Sequence, residues 1–538
     1  MLRKWMAERV RRCSRSKWTL RRAVRRLARP DLTLFCAVLT VWAQASAAST
    51  PADSTASAQC ERLGALHLPQ THIVAAETVS GPTFMPPGAR QALDALPAFC
   101  RVSAVIDPAV RFEVWLPLTD WNGKFQGTGN GGYNGVIVYG ALAAGLRRHY
   151  ATSSTDMGHV ATTPDPGSWA LGHPELVQDQ GFRAQHETAV RAKLIIRAFY
   201  RHSPRRSYFV GCSSGGWQGI TEALRYPREY DGIIAGAPAF EVVHLHAATL
   251  WTHMAATQIA PQKFRLVTDA VLEQCDANDG VRDGLLTDPR TCHFQPAQLA
   301  CREGQQPDTC LTSEEITAFE HIYDGLHYAS GEPIYPGWPR GVEYALIAMR
   351  GEFPAALAAS TFKDMVFDDP SWDYHNIEYD LDVRQADGRI GKVMNNYSPD
   401  LRAFRRHGGK LILWHGWDDP LISPLHTLGY YQQLARYLSG KSTEAAAVAA
   451  ISDFARLFMA PGVNHCGGGP GPDSFDALSA LEAWVEQGKP PERIVAAHLT
   501  KGVTDRTRPL CPYPQLATYT GSGSTDSADS FTCRTPPT

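Results

Sequence analysis

The stretch Tyr208-Phe209-Val210-Gly211-Cys212-Ser213-Ser214-Gly215-Gly216 restricts the fold more than any other part of the chain. An apolar run stops at Gly-x-Ser-x-Gly, and a helical pattern follows from Trp217 to Tyr226. Strand, sharp turn and helix in that order make a nucleophile elbow, where small residues at Gly211 and Gly215 relieve crowding and leave Ser213 at the apex. The unusual element is Cys212, directly before the serine. A second cysteine, Cys466, directly follows a histidine, His465.

The surrounding chain reads as alternating strands and helices. Phe112–Leu116 alternates as a strand, and Lys124-Phe125-Gln126 ends another that runs into the glycine-rich segment 127–135. That segment has no GxGxxG and no Lys-Ser/Thr after its glycines, so phosphate binding is disfavoured. Glycines upstream of an elbow suit a loop whose backbone N–H groups face a developing oxyanion, here Gly131 or Gly132 together with Ser214. Ser153–His159 reads as a polar turn close to the site, whose Asp156 and His159 could be catalytic, with loop bracing the preferred reading. Phe182–Phe199 has helix spacing, and Tyr230–Gly236 reads as the next parallel strand. Such alternation implies a parallel sheet covered by helices. From 241 to 402 it stops, and it resumes with strands at Lys410–His415 and Phe454–Met459 and a helix at Asp473–Gln487. The segment from Cys60 to Cys100 reads as loop-rich, and the Ser/Thr-rich tail near Gly521–Ser530 as a loop. The expectation is an α/β-hydrolase fold, with a catalytic domain over 49–240 and 403–538 and a lid domain over 241–402.

Acyl transfer by serine requires a base and a carboxylate that holds the base in the right tautomer. In this fold they follow the serine in the order acid, then histidine, each after a strand. His415-Gly416-Trp417-Asp418-Asp419-Pro420 and Pro461-Gly462-Val463-Asn464-His465-Cys466-Gly467 occupy those places. Two acids compete. Asp419 is preferred, with Asp418 exposed or bracing the turn and His415 packing at the strand end. The catalytic set is Ser213, Asp419 and His465. A Cys212–Cys466 disulfide would tie the residue before the nucleophile to the residue after the base.

Composition bears on compartment. Residues 1–30 carry twelve Lys or Arg and one acid, followed by the apolar stretch Leu32–Trp42 and Ala-Gln-Ala-Ser-Ala-Ala, the layout of a secretory signal over 1–48. The apolar stretch is too short for a membrane span. Without those residues the chain holds 40 basic against 52 acidic side chains, which disfavours nucleic-acid partners. Ten cysteines then remain, an even number that suits five disulfides outside the cytosol. Cys275/Cys292, Cys301/Cys310 and Cys511/Cys533 would close short loops, although spacing leaves the connectivity open. No CxxC supports zinc.

Within the insertion, residues 275–288 have the carboxylates and glycines of a calcium loop without EF-hand spacing. Side chains of Asp276, Asp279 and Asp283 with carbonyls of Val281 and Leu285 are candidate ligands for a structural Ca2+. The alternative, less favoured, is a solvated acidic turn.

The motifs at 211–216, 230–238, 415–420 and 464–469 resemble those of the tannase/feruloyl esterase family, which includes mono(2-hydroxyethyl) terephthalate hydrolase. The resemblance covers nearly all of the chain beyond the leader. It implies Ser213, Asp419 and His465 as triad and the same five calcium positions. It also implies disulfides Cys60–Cys100, Cys212–Cys466, Cys275–Cys292, Cys301–Cys310 and Cys511–Cys533. The implied activity is hydrolysis of feruloyl, galloyl or related aromatic esters by an exported enzyme, secreted or periplasmic. The competing readings are a non-catalytic hydrolase-fold binding protein and a serine peptidase. Arg384 and Arg389 in the insertion could bind a substrate carboxylate, although surface arginines are far commoner.

Overall fold

The computed structural model describes residues 51–161 and 165–536. The expected leader, 1–48, lies outside the described residues. Among those described, no helix is long and apolar enough to cross a membrane.

Nine strands form one mixed sheet. Its first seven are β1 (Thr71–Val79), β2 (Phe99–Ile106), β3 (Val110–Pro117), β4 (Lys124–Thr128), β5 (Ala151–Thr155), β6 (Arg206–Cys212) and β7 (Gly232–Gly236). The segment 241–402 adds helices and a separate hairpin, β8 (Gly325–His327) with β9 (Pro333–Pro336), but no strand to the main sheet. β10 (Lys410–Gly416) and β11 (Ala455–Ala460) complete it in the order β1-β2-β3-β5-β4-β6-β7-β10-β11. From β5 to β11 every pairing is parallel, and from β1 to β5 every pairing is antiparallel.

The parallel strands are apolar on both faces because helices cover both. Phe209, Ile233, Leu411, Leu413 and Leu457 point to one side, into a core shared with the helices Ala184–Tyr200 and Pro424–Ser439. Their alternates Tyr208, Ile234, Ile412, Trp414 and Phe458 point to the other, against Leu478, Leu481 and Trp484 of the helix Ala477–Gln487. A period of two within continuous apolar runs accounts for this split.

One expectation needs correction. The Cys60–Cys100 stretch is not merely loop, because it contains β1, paired with β2 along its length. The tail segment 521–530 is a loop closed by Cys511–Cys533, and the chain around it forms two ladders, Ile494–Thr500 with Val503–Leu510 and Leu516–Tyr519 with Phe531–Arg534. All five implied disulfides are present as bonded pairs, including Cys212–Cys466 across 254 positions with Cα atoms 5.9 Å apart.

Candidate active site

Because β6, β10 and β11 run parallel, the loops leaving their C-terminal ends gather at one edge of the sheet, where open α/β sheets hold their sites. Ser213 follows β6 and precedes the helix Ser214–Arg225, which begins three residues earlier than its apolar pattern suggests. The serine has φ 63° and ψ −126°, a strained conformation for a residue with a side chain. The crossing is tight. A Cβ at Gly211 would lie 2.3 Å from the Gly215 carbonyl oxygen, and one at Gly129 would lie 2.5 Å from the Gly215 Cα. The glycine-rich loop therefore lies directly against the elbow.

Gly132, Tyr133, Ser213, Ser214 and His465 line one cavity. Gly131 is not in that wall, and its carbonyl accepts from the Asn134 amide. Ser214, as the first residue of its helix, has no carbonyl one turn back to donate to. Ser214 and Gly132 both line the cavity with the serine, which makes their amides the candidate oxyanion donors.

His465 Nδ1 donates to Asp419 Oδ2 at 2.7 Å. Asp419 is fully buried and its other oxygen accepts from the Leu421 and Ile422 amides at 2.8 and 3.0 Å. Burial works to raise its pKa. The His465 charge and hydrogen bonds from His415 and His465 outweigh that and hold it well below the usual carboxylate range. In His465, burial is likewise outweighed by the Asp419 charge and hydrogen bond, so its pKa is raised. Among the described residues Ser213 Oγ has no hydrogen-bond partner; such bonds commonly close only around substrate.

His415 does more than pack at the strand end. Its Nε2 lies 3.0 Å from Asp419 Oδ2 and 3.1 Å from the Ile422 carbonyl, both acceptors, so Nε2 carries the proton. Thr427 Oγ1, 2.8 Å away, then donates to Nδ1. The carboxylate is thus gripped by two imidazoles and two amides. Asp418 points elsewhere. It lines a second cavity with Asn464 and Gly469, and burial with the Glu343 charge pushes its pKa up to about 8. Of the two expected roles, exposed or bracing the turn, Asp418 is partly exposed and its amide donates to the Val463 carbonyl at 3.1 Å, which braces the turn. Of the 153–159 stretch expected as a turn, Ser153–Thr155 belong to β5 and the turn follows them; there Asp156 binds Arg111 at 2.8 Å and His159 stacks on Trp169 at 3.9 Å, which is bracing.

The cavity wall away from the serine is apolar. Val242 and Leu245 come from the helix Val242–Thr257, Phe353, Pro354 and Leu357 from the helix Glu352–Ser360, with Trp217 and Ile422 between. No Lys or Arg belongs to it. Arg384 stacks on Tyr328 and Arg389 lines a different cavity, so neither serves a substrate carboxylate here.

The 276–285 loop offers only oxygen donors, which suits a hard cation by chemistry. Burial raises the pKa of Asp279, and the charge of Asp283 adds to it, a repulsion a cation would relieve. As placed, however, the carboxylates are engaged within the chain. Asp276 accepts from the Asp283 and Gly284 amides, Asp279 from the Val281 amide and the Thr287 hydroxyl, and Asp283 pairs with Arg508. Among the described residues no three acidic, His or Cys side chains converge as a metal site. The loop still bears on the triad, since Leu285 Cδ2 lies 2.4 Å from where a Cβ at Gly462 would stand, in the His465 loop.

Residues 96–534 match the family model described as tannase and feruloyl esterase. An uncharacterized esterase of Xanthomonas campestris pv. campestris is 38% identical over 89% of this chain and 92% of its own length. The mono(2-hydroxyethyl) terephthalate hydrolase of Piscinibacter sakaiensis is 32% identical over 82% of this chain and 86% of its own. The crystal structure of feruloyl esterase B from Aspergillus oryzae superposes with a TM-score of 0.82 at 26% identity, covering 89% of this chain and all of that one.

Proposed function

This chain belongs to the tannase and feruloyl esterase family and is a carboxylic ester hydrolase, and from that premise we propose an exported serine esterase that cleaves phenolic esters through an acyl-enzyme. Ser213 Oγ attacks the ester carbonyl, His465 takes its proton and returns it to the leaving alcohol, and Asp419 holds the imidazole with Nδ1 protonated. The Ser214 and Gly132 amides face the oxyanion, each donor lowering the barrier by ~3 kcal/mol. Water then enters by the same route in reverse and releases the acid.

The observation that carries this reading is the 2.7 Å Asp419–His465 bond opening onto the same cavity as Ser213. A relative named for terephthalate monoester hydrolysis and a structural neighbour named feruloyl esterase support an aromatic acyl group. The apolar wall without Lys or Arg favours an uncharged ring over one bearing a free carboxylate. We read the 241–402 segment as a lid, because two of its helices, Val242–Thr257 and Glu352–Ser360, line the cavity that holds the serine. Five disulfides support an oxidising destination. Calcium at the 276–285 loop is proposed as structural, its support being the all-oxygen donor set and the crowded Asp279 and Asp283 carboxylates.

Ser213→Ala is expected to lower kcat on methyl ferulate at least ~10⁴-fold with Tm unchanged. Retained turnover would sink the assignment.

A further inference from the structure

The helix Val242–Thr257 turns one face, Val242, Leu245, His246 and Thr249, to the cavity. A histidine among these apolar neighbours needs an account. Its Nδ1 lies 2.6 Å from Thr361 Oγ1, and the Tyr133 hydroxyl lies 2.8 Å from that same oxygen. Tyr133 belongs to the glycine-rich loop beside Ser213, and its ring meets that of His246 edge-on at 5.7 Å. The three side chains thus join the oxyanion loop to the insertion.

Counting protons orients them. Tyr133 and Thr361 each have one hydroxyl hydrogen, and both residues are buried with no other partner for it among the described residues. If His246 Nδ1–H donated to Thr361, one of those hydrogens would be left without an acceptor, which buried hydroxyls rarely tolerate. The arrangement that spends both is Tyr133 to Thr361 and Thr361 to His246 Nδ1. The ring hydrogen is then on Nε2, which has no partner among the described residues. Burial lowers the His246 pKa to about 3, so the group is a neutral donor at any working pH. The other side-chain donors on this wall are spent or sealed, since the Thr249 hydroxyl donates to the Leu245 carbonyl and the Trp217 indole nitrogen is fully buried.

We propose that His246 is a specificity residue whose Nε2–H donates to a hydroxyl or methoxy oxygen on the substrate's acyl ring, with Tyr133 and Thr361 fixing its tautomer. This rests on the phenolic-ester reading above and sharpens it, because an uncharged donor in an apolar wall selects neutral ring oxygens over plain aryl rings and over carboxylates.

The test is the ratio of kcat/KM for methyl ferulate to that for methyl cinnamate, which lacks ring oxygens. His246→Leu is expected to lower this ratio about tenfold, mostly through KM, the worth of one hydrogen bond, while His246→Gln, which keeps an N–H, holds it within about threefold. Equal losses on the two esters, or an unchanged ratio, overturn the proposal and leave the esterase reading standing. If His246→Leu does not fold, Thr361→Val decides: a ratio lowered at least about threefold supports the tautomer relay, and an unchanged one refutes it. Failure of the unsubstituted enzyme to turn over either ester would overturn the phenolic substrate class and this proposal with it.

Discussion

Replacing Asp419 by Asn keeps size and shape but removes the charge at the centre of the site. In the protein, Oδ1 holds two backbone amides and Oδ2 accepts from both His465 and His415. An asparagine that keeps its oxygen on the amides must turn its NH2 toward the two imidazoles. His465 then accepts at Nδ1 and carries its hydrogen on Nε2, the atom that has to receive the serine proton. The tautomer is wrong for catalysis, and kcat is expected to fall by ~10⁴. The pH profile supplies a second sign. Catalysis needs neutral His465, whose pKa is raised by Asp419, so in the unsubstituted enzyme kcat/KM falls as pH drops through a value above the ordinary 6.5. Without the carboxylate the remaining activity should persist to lower pH. Asp418→Asn is the control: that acid, pushed up to about 8, is already largely neutral at pH 7, and its kcat should stay within about twofold. The assay is steady-state release of ferulate from pH 5 to 9, with Tm measured alongside. If Asp419→Asn retained more than about a tenth of kcat while Asp418→Asn lost activity, the acid would have been assigned to the wrong residue.

Replacing both Cys212 and Cys466 by Ala should lower kcat about ten- to a hundredfold, because the elbow and the histidine loop lose their tie, and reduce stability by ~2–4 kcal/mol. A fall in Tm with kcat intact would show that the bridge only stabilises. Chelation by EGTA should lower Tm, with calcium restoring it, and lower kcat through Leu285 and Gly462; an unchanged Tm on chelation and on calcium addition would remove the metal proposal.

The parallel half of the sheet was legible because its strands are buried on both faces and so read as continuous apolar runs. β1 was not, since its Thr-His-Ile-Val-Ala-Ala-Glu-Thr-Val is an edge strand with mixed exposure, flanked by prolines and paired on one side only. The tail ladders hid for a related reason. Val503–Leu510 is half exposed and polar, and is held by pairing and a disulfide more than by a core. The elbow helix starts at Ser214, yet Gly215 and Gly216 are poor helix formers, so its first turn looks like loop. The triad could be placed because its members follow strands in a known order. His415 was found but its grip on Asp419 was not, since spacing cannot say which way a strand-end side chain turns. His246 and Thr361 lie 115 positions apart on elements with no periodic cue joining them, so their contact with Tyr133 became visible only in three dimensions.

The bond between Cys212 and Cys466 also sets when the molecule becomes competent. Its second half is synthesised 254 residues after its first, so the elbow must wait, uncrosslinked, until most of the chain exists. In a reducing cytosol glutathione and thioredoxin keep such thiols apart, and the two halves of the catalytic apparatus are joined only by packing. Oxidation makes them one covalent unit. If the protein is exported as proposed, a newly made molecule is expected to have reduced hydrolytic power until it reaches a compartment where thiols pair.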